Sequence, residues 1–221
     1  MLLIGMLDSP FVRRVAVSLK LLGMSFEHGD WSVGRDFERI RRYNPLGRVP
    51  TLVLDDGEVL MESGAILDYL DEAVGPARAL LPPGGRERRT ALRLIAIATG
   101  AADKAVAQLY ERAFRPPDKR HEPWLARCRT QTHGALAELE RHAAARVAAA
   151  RAQADSEAVW LVGPSLTQAD ITCTCVFSFI SESLALTPAA PYPALRALAE
   201  RCEAMPPFRT TRLTFVAPSA S

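Results

Sequence analysis

The feature that most constrains the fold is a change of character partway along the chain. Over the first 75 residues short apolar runs alternate with helix-length stretches. After about residue 86 the sequence reads as long helices, with no strand-like alternation of any length. Between the two parts, "GPARALLPPGGRER" carries Pro76, Pro82, Pro83, Gly84 and Gly85, the punctuation of an exposed linker. Two domains are therefore predicted, an α/β one and then an all-α one. At 221 residues, 48% of them hydrophobic, the chain has enough apolar material for a sizeable core.

In the first part, residues 2 to 7 read as a buried strand. The stretch "PFVRRVAVSLKLL", residues 10 to 22, sets apolar side chains at 11, 12, 15, 19 and 22 on one helical face, and Gly23 stops that helix. "SFEH" is a second strand, followed by a short charged helix near "DFERIRRY" that Asn44 and Pro45 end. "TLVLDDGEVLM" is a hairpin around Asp56-Gly57. "SGAILDYLDEAV" is a helix with Ser63 as candidate N-cap and Ile66, Leu67, Tyr69 and Leu70 available for burial. The order is β-α-β-α-β-β-α, a small sheet with a parallel start and an antiparallel finish.

The second part divides into helices over roughly 86 to 115, 122 to 153, 168 to 183 and 192 to 204. The third has the best-marked start: Thr167 as N-cap with Asp170 three residues on is a capping box, and Leu166 and Ile171 stand where a hydrophobic staple would be. Such a cap is worth about 1 kcal/mol and speaks to folding rather than chemistry. The Ala/Arg-rich stretch 143 to 154 has high helix propensity and reads as an exposed helix end.

Several functional classes lose their support at this stage. Lys and Arg number 27 against 25 Asp and Glu, a net charge of +2, which gives no electrostatic reason to expect nucleic acid or an anionic membrane as partner. The N-terminus "MLLIGMLDS" has no basic lead and too short an apolar stretch for a signal peptide, and no apolar run approaches a membrane span, so a cytoplasmic protein is expected. Cys128, Cys173, Cys175 and Cys202 show no C-x-x-C pair and read as buried reduced thiols. The four histidines are scattered without ligand spacing, so no metal is assigned.

Two places demand more than folding. In "DSPFVRR" a strand ends in Ser9 and Pro10 and a helix begins; capping alone would account for both residues. In "NPLGRVPTLVLDDGEVLMES" Pro50 stands just before a strand, where it removes a ladder donor. Taken together and in order, "SPFVRRV", "NPLGRVPTL", "MESGAILDYLDE" and "LTQADI" resemble the motifs of the cytosolic glutathione S-transferases, over nearly the whole chain. The Ser-Pro-Phe pattern most resembles the serine-type group, with its plant tau-like and bacterial members.

That resemblance implies a thioredoxin-like N-terminal domain over 1–78 that binds glutathione, with a cis bond before Pro50 that turns the backbone outward. It also implies an all-helical domain over 86–221 that supplies an electrophile pocket, and a homodimer. By position, Val49 would pair its backbone with the cysteinyl part of glutathione as an added strand does. Glu62 would take the γ-glutamyl ammonium, Ser63 with the helix-start amides its carboxylate, and Arg48 the glycyl carboxylate. Ser9 would donate its hydroxyl to the glutathione sulfur. A free thiol of pKa near 8.5 is only about 3% ionised at pH 7. A hydrogen bond to a charged group contributes roughly 1.5–3 kcal/mol and a helix N-terminus about 0.3–1. At 1.36 kcal/mol per unit, about 2.7 kcal/mol lowers the thiol pKa by roughly 2 units, enough to ionise most of it.

Phe11, Tyr110 and Phe114 are candidates for the electrophile pocket, with Trp124 a further one, although aromatic residues at such spacing also serve as core. Asp8 would oppose a thiolate and is expected to face away or to bond backbone, and Arg13 and Arg14 read as structural or solvated. The reading is a transferase that adds the glutathione thiolate to an apolar electrophile. Its alternatives are a glutathione-dependent isomerase or thiol transferase, disfavoured by the absence of cysteine before Cys128, and a non-catalytic glutathione-binding or interaction module of the same fold.

Overall fold

A computed structural model describes residues 1–152, 159–186 and 192–217. The elements of the first part are β1 (Leu2–Ile4), α1 (Pro10–Leu21), β2 (Glu27–Gly29), α2 (Phe37–Arg41), β3 (Thr51–Val53), β4 (Val59–Met61) and α3 (Ser63–Val74), the order read from the sequence. The four strands form one sheet in the order β2-β1-β3-β4. β1 pairs in parallel with β2, while β3 runs antiparallel to both β1 and β4. The peptide bond between Val49 and Pro50 is cis.

Helix α1 forms where periodicity places it, with Pro10 at its first position and Val12, Val15, Ala16 and Leu19 buried against Leu3, Leu52, Ile66 and Leu70. Fully burying side chains of this size stabilises by about 1.5–3 kcal/mol each, which holds the helix to the sheet. The other face of the sheet is closed by Ile4, Trp31 and Ile40.

The second part comprises α4 (Gly85–Phe114), a 3-10 turn (Pro117–Lys119), α5 (Glu122–Ala152), α6 (Gln168–Ser183), α7 (Pro193–Glu203) and the short α8 (Pro206–Arg209). The end of the helix expected to reach residue 153, and residues 153 and 154 of the Ala/Arg-rich stretch, lie outside the described residues. At the start of α6 both halves of the capping box are made: Ala169 N–H donates to Thr167 Oγ1, and Thr167 N–H to Asp170 Oδ2 at 2.9 Å. Asp170 also accepts from Leu161 N–H at 2.8 Å, which ties the preceding loop to the helix. Ala98, Ala101, Ala102 and Ala105 of α4, Leu136 and Leu139 of α5 and most of α6 build the second core. About two helical turns lined with alanine let α4 approach its neighbours closely, and larger side chains from α5 and α6 fill the space.

The face of α1 turned from the sheet is also covered. Val17 enters the helical core, and Ser18 Oγ bonds Gln168 Oε1 of α6 at 3.0 Å. Arg13 and Arg14, expected to be structural or solvated, are both buried and both structural. Arg13 forks onto Glu203 of α7, with Nη1 to Oε1 at 2.8 Å and Nη2 to Oε2 at 2.5 Å, and reaches the Phe208 carbonyl at 3.0 Å. The four cysteines are buried free thiols, and burial pushes Cys175 up to about 12 and Cys202 up to about 11, which leaves them unreactive at neutral pH.

Candidate functional site

A cleft of about 910 Å³ opens between the two parts of the chain. On the sheet side its wall runs from the end of β1 into α1. Ser9 has extended backbone and caps α1, its Oγ accepting from Val12 N–H at 3.4 Å. That bond is long, and a cap only accepts, so the Ser9 hydroxyl hydrogen remains free to be donated into the cleft.

Beside it lies the loop that carries Arg48 and Val49. Among the described residues neither the N–H nor the C=O of Val49 has a hydrogen-bond partner, so Val49 presents a strand edge of one residue to the cleft. Three residues that sequence reasoning did not single out as functional hold it there. Asn44 is buried and donates to the Arg48 carbonyl at 2.9 Å and Thr51 Oγ1 at 3.2 Å, while its Oδ1 accepts from Leu46 N–H at 3.0 Å. Gly47, at φ +62°, lies against the Phe37 ring where a Cβ would collide. Gly5, at φ +132°, packs so closely that a Cβ would come within 2.6 Å of Val12 Cγ2 and 2.8 Å of Val49 Cβ. The only sequence signal for these was their type: glycine after a strand, and asparagine before a proline.

The opposite wall is helical. Asp103, Val106, Tyr110 and Phe114 of α4 face the cleft with spacings of three, four and four, and Leu109 joins them. Tyr110 and Phe114 meet edge to face at 5.1 Å and remain 40% and 45% exposed, so they are surface of the cleft and not core. Phe11 joins from α1 and Phe179 from α6. Trp124 does not line the cleft; it stands outside, with Lys104 Nζ 5.3 Å from its ring. Helical spacing from Tyr110 backward would have found Asp103.

The far end of the cleft is closed by a C-terminal strap, residues 212 to 217, which no sequence pattern marked. Arg212 pairs with Glu182 of α6 at 2.7 Å, Phe215 N–H reaches the same carboxylate at 3.3 Å, and the Phe215 ring packs on Phe179 at 5.7 Å. Val216 and Ala217 then line the cleft. Asp8 lines the cleft and, of the two expectations for it, meets the second: its carboxyl bonds backbone, at Val216. Burial raises its pKa above the ordinary value, against the Val216 backbone N–H. Burial likewise raises Asp103, with Arg48 across the cleft opposing the shift.

Glu62 and Ser63 stand apart from this lining, at the start of α3. The N-cap of α3 is Glu62, at φ +71°, and not Ser63, which is the first helical residue. Glu62 takes the cap because its longer side chain folds back, Oε1 accepting from Gly64 N–H at 3.3 Å and from Ser63 Oγ at 2.9 Å. Ser63 is wholly buried, and its Oγ accepts from Arg14 Nη2 at 2.7 Å. Pro50 is buried behind Val49. The geometry thus gathers Ser9, Phe11, Arg48, Val49, Tyr110 and Phe114 around one cleft, with Glu62 and Ser63 as a separate polar cluster. Among the described residues no three potential ligands converge on a metal position, and no helix is long and apolar enough to cross a membrane.

Comparison with known proteins agrees with this geometry. The profile of the glutathione S-transferase N-terminal domain matches residues 3–78, and that of the C-terminal domain residues 122–201. The uncharacterized GST-like protein YibF of Escherichia coli (strain K12) is 33% identical over 140 residues, 63% of this chain and 68% of that protein. A glutathione S-transferase of Methylobacterium radiotolerans, solved with glutathione sulfonate, superposes with a TM-score of 0.84 at 31% identity, covering 100% of this chain and 95% of that one. A glutathione transferase family member of Pseudomonas fluorescens Pf-5, solved with glutathione, does so with a TM-score of 0.79 at 32% identity, covering 96% and 98%. Profiles matching both parts of the chain, and a shared fold at this level of identity over nearly all of it, establish that the chain belongs to the glutathione S-transferase family.

Proposed function

We propose that this protein is a glutathione transferase that binds glutathione along residues 1–78 and transfers its thiolate to an apolar electrophile held against residues 86–221. The observation that carries the reading is the unpaired backbone edge of Val49 beside the hydroxyl of Ser9 in one cleft. An extended peptide laid on Val49 gains two main-chain hydrogen bonds, and its sulfur is brought to the start of α1. There Ser9 donates to the sulfur and the helix N-terminus favours negative charge. Arg48 receives the glycyl carboxylate, Glu62 and Ser63 the γ-glutamyl end, and buried Pro50 backs the loop. The thiolate then attacks the electrophile against Phe11, Tyr110 and Phe114, so catalysis is orientation plus ionisation of the thiol. No metal enters this scheme. A homodimer, checked by sedimentation, and a cytoplasmic location belong to the same reading.

Two measurements test it. Calorimetry should detect glutathione binding, and its absence would end the reading. Ser9→Ala should lower kcat/KM for a generic aryl halide at pH 7 about tenfold to hundredfold, the worth of one hydrogen bond to a charged group, while glutathione still binds. An unchanged rate would remove Ser9 from the mechanism and favour a binding module or a different chemistry.

A further inference from the structure

Burial raises the carboxyls of Asp8, Asp71, Asp103 and Asp170 above their ordinary value, and three of them are held by backbone. Asp8 accepts from Val216 N–H, Asp71 from Leu80 and Leu81 N–H at 2.8 and 3.0 Å, and Asp170 from Leu161 and Thr167 N–H at 2.8 and 2.9 Å. Each of these carboxyls ties two segments of the chain together, which explains its place away from water. Asp103 does not: among the described residues it accepts no hydrogen bond and forms no ion pair. A charge that loses water and gains no partner is a cost to the folded chain.

Asp103 is exposed on the cleft wall, on the face of α4 that carries Val106, Tyr110 and Phe114. At 1.5 Å of rise per residue, Tyr110 lies about 10 Å from it along the helix axis. Lys104, next in the chain, turns to the Trp124 ring outside the cleft. Across the cleft Arg48 opposes the shift of Asp103 without pairing with it. In the functional reading Arg48 receives the glycyl carboxylate of glutathione, and the other arginine of the lining, Arg35, is already paired with Asp36 at 3.0 Å. With glutathione in place, Asp8 and Asp103 are therefore the acidic groups of the lining left without a counter-ion among the described residues, and the cleft favours positive charge in what enters next.

We propose that Asp103 is a specificity residue for the electrophile, selecting substrates in which a cationic group, such as an ammonium or amidinium, is joined to an apolar body that carries the leaving group. The proposal rests on glutathione as the first ligand. The apolar body lies on Tyr110 and Phe114, whose ring faces also attract a cation, and the charged end meets Asp103. The bond-making step is that of the functional reading: the thiolate sulfur bonds to the electrophilic carbon, and the leaving group departs with the electron pair of the broken bond. Asp103 takes no part in that step and acts only on which molecule is held for it.

The test uses two chlorides of nearly equal shape, para-(trimethylammoniomethyl)benzyl chloride and the neutral para-neopentylbenzyl chloride, with glutathione as nucleophile and each rate divided by its uncatalysed rate. The wild-type chain should favour the cationic chloride in kcat/KM about threefold to thirtyfold, the scale of one coupled pair of charges, and added salt should shrink that ratio. Asp103→Asn, at a side chain that bonds nothing in the chain, should bring the ratio close to one, and Asp103→Lys should turn it against the cation. Calorimetric titration of the two S-benzyl glutathione conjugates into each protein reads the same ratio without turnover. A wild-type ratio at or below one, or a ratio that Asp103→Asn leaves unchanged, would overturn the proposal. A raised KM for glutathione with the ratio unchanged would assign Asp103 to glutathione instead. Failure of the wild-type chain to bind either conjugate would strike the functional reading itself, a result distinct from all of these.

Discussion

The two walls of the cleft are built on different principles. The sheet wall, from Gly5 through Ser9 and across to Val49, is made of backbone and short side chains whose positions are over-determined. Gly5 admits no Cβ, Asn44 makes two hydrogen bonds to the loop and one to Thr51 of β3, and Ser9 is fixed as a helix cap. The helical wall is made of half-exposed aromatic tips on α4, together with a strap tied down by one carboxylate. A wall of the first kind suits one ligand recognised through its main chain. A wall of the second kind presents apolar area with few directional groups, so exchanging a side chain alters what fits without disturbing the fold.

If the walls are separable, the seam between them should matter more to stability than either wall. The strongest tie is the buried fork from Arg13 of α1 to Glu203 of α7, which Ser178 Oγ also supports at 2.8 Å. Burial, the largest cause, would raise the Glu203 carboxyl, yet Arg13, with Ser178 and Arg212, outweighs it and the net shift is downward. Glu203→Ala leaves a buried guanidinium without its partner and should destabilise by about 3–5 kcal/mol, measured by urea denaturation. A loss below about 1 kcal/mol, the value of a surface pair, would mean that this ion pair does not hold the two parts together.

Within the sheet wall the sharpest break is Gly5→Ala. The positive φ and the two contacts under 3 Å each exact a penalty, together about 3 kcal/mol. For a chain of this size that lowers Tm by roughly 6–12 °C. Because the new methyl presses on Val49, glutathione affinity should fall as well, whereas a lowered Tm with unchanged affinity would show that Val49 is not held through Gly5.

Legibility in the sequence follows the same division. Strand order, helix starts and the cap at Thr167 are local matters of periodicity and capping, so the order of the elements was readable, while strand bounds were not: β1, expected over residues 2 to 7, ends at Ile4, and β2 is Glu27–Gly29 where "SFEH" was expected. Ser9 and Val49 were readable because motifs of fixed order surround them. Arg13 and Arg14 were not, since two adjacent cations on an amphipathic helix look solvated until the helical domain arrives to bury them. The strap escaped for a related reason: residues 212 to 217 have no periodicity, and their place is set by Glu182 and Phe179, thirty or more residues earlier. Assigning the cap of α3 to Ser63 failed because glutamate is a poor cap by propensity, and here the buried Arg14 favours a carboxylate.

On the helical wall Phe114→Ala is the corresponding break. Its ring is 45% exposed, so the change in stability should stay within about 0.5 kcal/mol. Glutathione KM should hold, while KM for an apolar electrophile rises about threefold to tenfold, the scale of part of a buried aromatic surface. A matching rise in glutathione KM would show that the walls are not independent after all.

The smallest expected effect lies where strap and sheet wall meet, at Asp8. Burial, with the nearby Asp30 adding to it, raises this carboxyl above its ordinary value of 3.8, against the Val216 N–H. Between those two values the folded chain still holds a proton that the unfolded chain has released. Stability contributed by that proton is full below pH 3.8 and is lost as pH rises through the raised value. Asp8→Asn removes the titration, so its stability relative to wild type should increase as pH climbs through this window and then level off at neutral pH. Denaturation curves of the two proteins at several pH values between about 3 and 7 measure the difference directly. Parallel pH profiles would show that the strap leaves Asp8 hydrated, and would remove a titratable contact that ties the variable wall to the fixed one.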